Sequence, residues 1–339
     1  MTEIIDSSDQ LQWDNFITSH EDANFLHSWA WGEFHASRGK TVLRRILLED
    51  GKISAAYEAV VETAKRGRYL AIAGGPILDW SKKPISDLIF DDIRAQGIKH
   101  RCVFVRIRPQ LKESENARKI FASAGLKPAP IYMSVELAGV LDLTKSEDEI
   151  LLGASQRLRR SLRKAAKNQI SVEVSQNPED IREFYKIQLE TAKRHDFVSF
   201  SEDFLLKQFA AFSARNEAKL YTAKYEGQIL AQNFMIFYGN EASYHYGVST
   251  ELGTKLSGAP LLHMQAMRDA RDLGIKRYNF WGITKEDEVK HRFYGVSQFK
   301  RGFGVSELQY LHAHDLILNP IAYKLTFILE TARRLHRHV

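Results

Sequence analysis

Two stretches of the chain place apolar and polar residues in the same order. Arg44–Glu49 and Ile53–Val61 have the β-branched and aromatic bias of strands, and Asp50-Gly51 between them predicts a tight hairpin. Tyr69–Ile72 reads as a further strand, running into Gly74-Gly75-Pro76. Ile85–Gln96 spaces its apolar residues as a helix does, with Gly97 as its expected C-cap, and Cys102–Ile107 is the next strand. Ala117–Ala124 follows as a short helix. In the second half, Tyr225-Glu-Gly-Gln-Ile-Leu-Ala matches Leu48-Glu-Asp-Gly-Lys-Ile-Ser-Ala. Ala270-Arg-Asp-Leu-Gly-Ile-Lys likewise matches Ile93-Arg-Ala-Gln-Gly-Ile-Lys. The offsets Gly51 to Gly227 and Gly97 to Gly274 differ by a single residue. Two copies of one mixed α/β unit follow from this.

Other segments add elements to this frame. Phe25–His35 gathers aromatics at helical spacing, predicting a helix with Trp31 and Phe34 inward and His35 beside them. Leu141–Leu143 reads as a strand, with Thr144 or the Ser146/Glu149 pair capping the helix after it. Ile181–Asp196 and Ser201–Ser213 are amphipathic helices, Leu261–Leu273 follows a turn at Ser257-Gly-Ala-Pro, and Leu316–His338 is a final helix. Tyr278–Gly304 starts as a buried aromatic strand. It is expected to end in a hairpin over Val296–Phe299, with Lys300 and Arg301 at a tip between glycines. Gly302 and Gly304 would let that backbone approach a ligand. A solvated aromatic hairpin is the plain alternative.

Charge narrows the partners. The 339 residues exceed what one core organises, and a net charge of +6 favours an anionic partner: nucleic acid, phosphate or an anionic lipid surface. Six cations and no acid lie between Ser155 and Asn168. Leu158, Leu162 and Ala165 keep the helical period there, leaving Arg157, Arg159, Arg160, Arg163, Lys164 and Lys167 on the other faces. Such a helix is either a solvated face or a phosphate-binding surface; the run without an acid favours the second. A single cysteine, Cys102, excludes an internal disulfide and a cysteine metal site, and the histidines do not group at ligand spacing. No apolar run reaches the ~20 residues of a membrane span, and the first ten residues are polar; a cytoplasmic monomer is the expectation. No GxSxG, Walker, GxGxxG or HExxH pattern occurs. The turn Lys255-Leu-Ser-Gly-Ala-Pro only partly follows the pyrophosphate loop of coenzyme A-dependent GNAT enzymes, because Pro260 removes an amide.

Several motifs, spread over nearly the whole chain, together resemble the FemABX family. They are Trp29-Ala-Trp-Gly-Glu-Phe, Gly74-Gly-Pro-Ile-Leu-Asp, Leu141-Asp-Leu before the basic helix, Tyr244-His-Tyr-Gly, Tyr278-Asn-Phe-Trp-Gly-Ile, Phe299-Lys-Arg-Gly-Phe-Gly and Leu318-Asn-Pro. The Trp-Gly-Ile and Phe-Lys-x-Gly-Phe-Gly pair is the specific part. The resemblance implies an α/β (α+β) fold of two tandem GNAT-like domains with mixed sheets flanked by helices, in the compact form without a coiled-coil arm. Domain 1 would comprise residues 1–138 with 318–339, and domain 2 residues 139–317. The implied activity moves an amino acid from aminoacyl-tRNA, a co-substrate with no resident cofactor or metal, to an amine of the peptidoglycan precursor's stem peptide. That precursor is UDP-MurNAc-pentapeptide or lipid II, with peripheral contact at the inner membrane face.

Lys300 and Tyr246 match the family's site lysine and tyrosine. Phe299, Trp31, His35, Arg108, Phe200, Phe204 and Trp281 fall at precursor-binding positions, and Arg159, Arg160, Arg163, Lys164 and Arg301 would meet tRNA. The sequence departs from the family at four of these: a lysine is replaced by His35, an acid by Arg108, and an Arg and a Tyr by Phe200 and Phe204. The ester is already activated, so positioning and oxyanion stabilisation suffice, with Lys300 supplying the charge and no general base evident. Two rival readings remain: a coenzyme A-dependent GNAT N-acyltransferase, and a basic tRNA-binding protein without catalysis.

Overall fold

Asp50-Gly51 and Glu226-Gly227 are the same turn built twice. Their φ angles are +49° and +78° in one and +47° and +77° in the other. Positive φ at both central residues is the two-residue hairpin geometry that suits the strands' right-handed twist. Each turn also follows a bulge in its hairpin, at Leu47/Leu48 and at Ala223/Lys224.

The computed structural model describes residues 1–64, 67–195 and 198–337. In chain order the first elements are β1 (Thr2–Asp6), α1 (Gln10–Thr18), α2 (Trp29–Ser37), β2 (Thr41–Glu49), β3 (Lys52–Ala64), β4 (Gly67–Gly74) and β5 (Ile77–Leu78). Next are α3 (Lys83–Lys99), β6 (Phe104–Pro109), α4 (Glu115–Ser123), β7 (Lys127–Pro128), β8 (Leu137–Asp142), α5 (Glu147–Gly153) and α6 (Gln156–Lys167). Then come β9 (Ser171–Ser175), α7 (Ile181–His195), α8 (Glu202–Ser213), β10 (Ala218–Tyr225), β11 (Gln228–Tyr238), β12 (Glu241–Ser249), α9 (Glu251–Leu256) and α10 (Gly258–Asp272). The chain closes with β13 (Arg277–Gly282), α11 (Tyr294–Arg301), β14 (Ser306–Gln309), β15 (His314–Ile317) and α12 (Pro320–Arg337).

These elements form two compact units, Met1–Glu136 with Gln309–Val339, and Leu137–Leu308. The first holds a mixed sheet in the order β1-β2-β3-β4-β6-β15-β7, and the second a mixed sheet in the order β14-β8-β13-β12-β11-β10-β9. In each, three antiparallel pairings lead to one parallel pairing across a helix (β4 with β6 over α3, β12 with β13 over α10), and an antiparallel strand borders the far side. This is the tandem GNAT-like α/β fold. Each unit has its own apolar core, around Leu70, Ile72, Ile89 and Phe121 in the first and around Leu230, Met235, Leu262 and Phe280 in the second.

Four sequence expectations are corrected. The expected boundaries shift at both joins: Leu137 and Ala138 open β8 in the second unit, and residues 309–317 fall in the first, where β15 pairs with Phe104–Ile107 on β6. The final helix accordingly starts at Pro320, because Leu316 and Ile317 are strand; its expected end at His338 lies outside the described residues, as does Asp196 at the end of α7. Gly97 is no cap: α3 runs on to Lys99, and a Cβ at Gly97 would lie 2.5 Å from Leu318 Cδ1, so close packing requires the glycine. Val296–Phe299 is helical, not a hairpin strand. The Ser146/Glu149 capping box is present as expected at α5.

Candidate functional site

In the second unit, β12 and β13 begin as a parallel pair and then part. Their register runs only from Glu241↔Arg277 to Ser243↔Asn279. Beyond it β13 bulges against β8 between Asn279 and Gly282, and Trp281 takes a left-handed φ of +62°. The Asn279 side chain holds that kink by accepting from Trp281 N–H at 2.8 Å. A wedge opens between the two strands, with Tyr244, His245 and Tyr246 on one lip and Phe280, Trp281 and Gly282 on the other.

Lys300 closes one side of the wedge. Its helix, α11, is fixed where Ser297 Oγ accepts from Thr284 N–H (2.9 Å) and donates to Phe293 O (2.8 Å). Lys300 Nζ donates to Gly282 O at 2.7 Å and stands 5.5 Å from the Tyr244 ring centre. Burial with no compensating carboxylate pushes its ammonium down to about 7. Behind it, His263 Nδ1 and the Tyr278 hydroxyl are hydrogen-bonded at 2.8 Å. Burial, then the Lys300 charge, lowers His263 to about 3, so it is neutral. Burial likewise raises Tyr244. Lys300 is thus the chemically adjustable cation of this wedge.

Tyr246 lies on the other face of the sheet. Phe234 pairs with Tyr246 and Met235 with Tyr244, and the register shift between these pairs leaves His245 as the extra residue. Residues directly opposite share a face and successive residues alternate, so the two tyrosines point to opposite sides. Tyr246 joins an aromatic shelf, 5.3 Å from Phe200 and 5.8 Å from Phe234, and Phe200 stacks on Phe204 at 4.6 Å. His245 links shelf and wedge, with ring centres 3.9 Å from Tyr246 and 6.2 Å from Trp281. The residue beside Lys300 is therefore Tyr244, which the sequence reading passed over along with His263 and Asn279. Regular strand alternation would put both tyrosines on one face, and no residue type marks the bulge.

Other predicted positions are placed as follows. Phe299 packs on His263 and Phe303 against the core, with ring distances of 5.5 and 5.4 Å, not at the wedge surface. Gly302 and Gly304 do allow a close approach, but to the chain's own backbone: Ser155 N–H donates to Gly302 O, and a Cβ at Gly304 would lie 2.7 Å from Gly153 O. Arg301 is committed to Glu307 (2.5 Å) and to Thr284 O. On α6, Arg159 donates to Leu151 O and Leu152 O, and Lys164 to Lys255 O, whereas Arg160 is exposed and Arg163 reaches only Arg159 O.

Trp31, His35 and Arg108 belong to the first unit. Trp31 and His35 meet edge to face at 4.8 Å, and burial, then Arg38 and Lys40, lowers His35 to about 3. A neutral buried imidazole there does not supply the fixed positive charge of a lysine. Arg108 is fully buried, donating to Ser134 Oγ (2.5 Å) and Gln110 Oε1 (2.6 Å), with Tyr310 beneath it. It braces its own unit. Among the described residues, no group of His, Cys, Asp and Glu is arranged to hold a metal ion.

Comparison with known proteins agrees with this arrangement. The FemAB family model matches residues 9–127, and an acetyltransferase (GNAT) domain model matches residues 153–301. A lipid II:glycine glycyltransferase of Staphylococcus epidermidis is 20% identical over 388 aligned positions, covering 93% of this chain and 92% of that protein. Its counterpart in Staphylococcus aureus is 19% identical, covering 92% of each. An alignment longer than the chain means that these relatives carry segments this chain lacks. Among solved structures, FemX superposes with a TM-score of 0.87 at 19% identity, covering 96% of this chain and all of FemX. L-PGS from Bacillus licheniformis superposes at 0.58 and 15% identity, covering 97% of this chain and 98% of L-PGS. The FemAB family model on the first unit, the GNAT model on the second, relatives aligned over more than nine-tenths of the chain and the FemX superposition together support the FemABX family.

Proposed function

We propose that the protein transfers an aminoacyl group from the ester of an aminoacyl-tRNA to an amine of a peptidoglycan precursor, the lipid-linked class on which its glycyltransferase relatives are named to act. The observation that carries this reading is Lys300: a buried lysine that donates to Gly282 O, with no carboxylate partner among the described residues, at the mouth of a strand wedge. The acceptor nitrogen attacks the ester carbonyl, and the carbonyl electrons move onto oxygen. Collapse expels the tRNA hydroxyl, which takes up the proton lost by the amine. Lys300, protonated, faces charge that exists only in the transition state, so its contribution appears in turnover more than in binding. An acceptor lysine amine, with a pKa of about 10.4, gives its ammonium proton to solvent before it attacks; the second proton, made acidic once the C–N bond has formed, passes to the departing tRNA oxygen, which fits a site without a general base.

The exposed cations Arg157, Arg160, Arg163 and Lys167 offer the tRNA backbone a phosphate-binding stripe, and the Phe200/Phe204/Tyr246 shelf an apolar surface for the acceptor. No resident cofactor is required, and a cytoplasmic location suits the use of aminoacyl-tRNA.

Incubation with a charged tRNA pool and lipid-linked or soluble precursor, followed by mass spectrometry, should show precursor gaining one aminoacyl residue, and ribonuclease pretreatment should abolish the gain. The GNAT domain match favours a second reading, coenzyme A-dependent N-acylation. An acetyl mass gain from acetyl-CoA with no aminoacyl product would establish that one instead.

A further inference from the structure

Helix α12 is inside out for a solvent-facing helix. The side it turns to its own unit is polar: Tyr323 and Glu330 lie there, and the Tyr323 hydroxyl and both Asp315 and Glu330 join a buried cluster around Arg106. Glu330, the helix's sole acid, is 1% exposed and paired with Arg106 at 2.8 Å. The outward side is apolar, with Ile321, Leu325, Ile328 and Leu329 exposed to 86, 61, 63 and 48%. At 3.6 residues per turn, these four and Ala332 fall within roughly 100° of arc, with Lys324 on one flank and Arg333 on the other. All acid is thus withdrawn from a face that pairs aliphatic side chains with cations. The patch continues beside the helix start, where Gly97 packs on Leu318 and the neighbouring Ile98, Lys99 and Arg101 are exposed.

From this the geometry points to α12 as a docking face for an anionic phospholipid surface, lying in the interface plane rather than crossing it. Apolar side chains enter the acyl boundary and Lys324 and Arg333, on its two flanks, meet the headgroups. Among the described residues, no helix is long and apolar enough to span a membrane, so contact through one amphipathic face is the mode open to α12. A second copy of the chain is the competing occupant, but it would bring cations against cations, whereas an anionic bilayer complements them.

The test is vesicle flotation of the full-length protein, with a light-scattering mass in parallel. Phosphatidylglycerol/phosphatidylcholine vesicles should carry the protein up the gradient, and phosphatidylcholine alone should carry far less. Leu325→Glu/Ile328→Glu should lower the floated fraction by on the order of 10-fold, and Lys324→Gln/Arg333→Gln should remove the preference for anionic lipid. All four side chains are exposed, so the variants should keep the wild-type Tm. Absence of wild-type flotation, equal flotation of the aliphatic variant, or a dimer that the Glu variant dissolves would overturn the assignment. Because the readout is binding without turnover, its failure is separable from failure of the transfer reading.

Discussion

The two units treat the same strand pair, and the same problem of a buried cation, in opposite ways. In the first, β4 and β6 stay zipped over six parallel pairs, from Tyr69↔Phe104 to Gly74↔Pro109. One of its two buried cations on β6, Arg106, is matched by two carboxylates, with both Asp315 oxygens at 2.7 Å and Glu330 at 2.8 Å, and the other, Arg108, donates to Ser134 and Gln110 side chains. In the second, the corresponding pair β12 and β13 parts after three residues, and its buried cation, Lys300, rests on a single carbonyl. A satisfied buried ion pair fixes a structure. An unmatched buried ammonium destabilises the fold and is ready for a charge that arrives later. The comparison assigns bracing to Arg106 and chemistry to Lys300.

The largest effect expected from this contrast is on stability. Asp315→Asn leaves a buried guanidinium short of its counter-ion and should cost about 3–5 kcal/mol in the first unit, read by denaturant unfolding. Lys300→Met, by contrast, removes a group that the fold must hold against desolvation, and should leave the Tm at or above wild type. A large Tm loss in Lys300→Met would make both cations structural. The same variant should lower saturated single-turnover transfer by on the order of 10²-fold, with little change in tRNA affinity.

Acid should act on both units. Burial holds His27 near 4 and His35 and His263 near 3. Between those values and the ordinary 6.5 the unfolded chain binds more protons, so stability rises with pH in that window and is lost as pH falls through it. Each histidine contributes up to about 1.4 kcal/mol per pH unit. His263→Gln should flatten the acid limb. An unchanged slope would mean that His263 is hydrated in the native state.

The smallest effects belong to α6. Arg160→Ala and Arg163→Ala should each lower the log–log salt slope of tRNA binding by roughly one unit. Arg159→Ala, which releases the carbonyls of Leu151 and Leu152, should instead act on Tm. Equal slopes in all three variants would return the stripe to a solvated face.

What the sequence disclosed and what it hid follow one physical line. Turn chemistry and repeated spacing are local, so Asp50-Gly51 and Glu226-Gly227 announced the duplication; Trp281 and Lys300 stood out as site residues, but at a hairpin tip and not in a strand wedge. The exchange of Tyr246 for Tyr244 depends on one bulge at His245, set by how β12 fits β11. The helical state of Val296–Phe299 depends on Ser297 bonding Thr284 across the loop. Arg108 and Arg301 look like ligand-binding cations in a string of letters, yet tertiary contacts give both of them partners within the protein. The outward apolar face of α12 was equally hidden, since its polar side is buried only because Arg106 lies on a strand some two hundred residues earlier.

The claim that Lys300 acts as a protonated transition-state cation is tested most directly by pH. The measurement is the ratio of wild-type to Lys300→Met single-turnover rates at saturating substrates, taken across pH 6 to 9. The ratio cancels the acceptor amine's own titration. It should be largest at low pH and fall as pH rises past about 7, where the buried ammonium loses its proton. A ratio that climbs with pH would make Lys300 a general base, and a flat ratio would remove its charge from the mechanism.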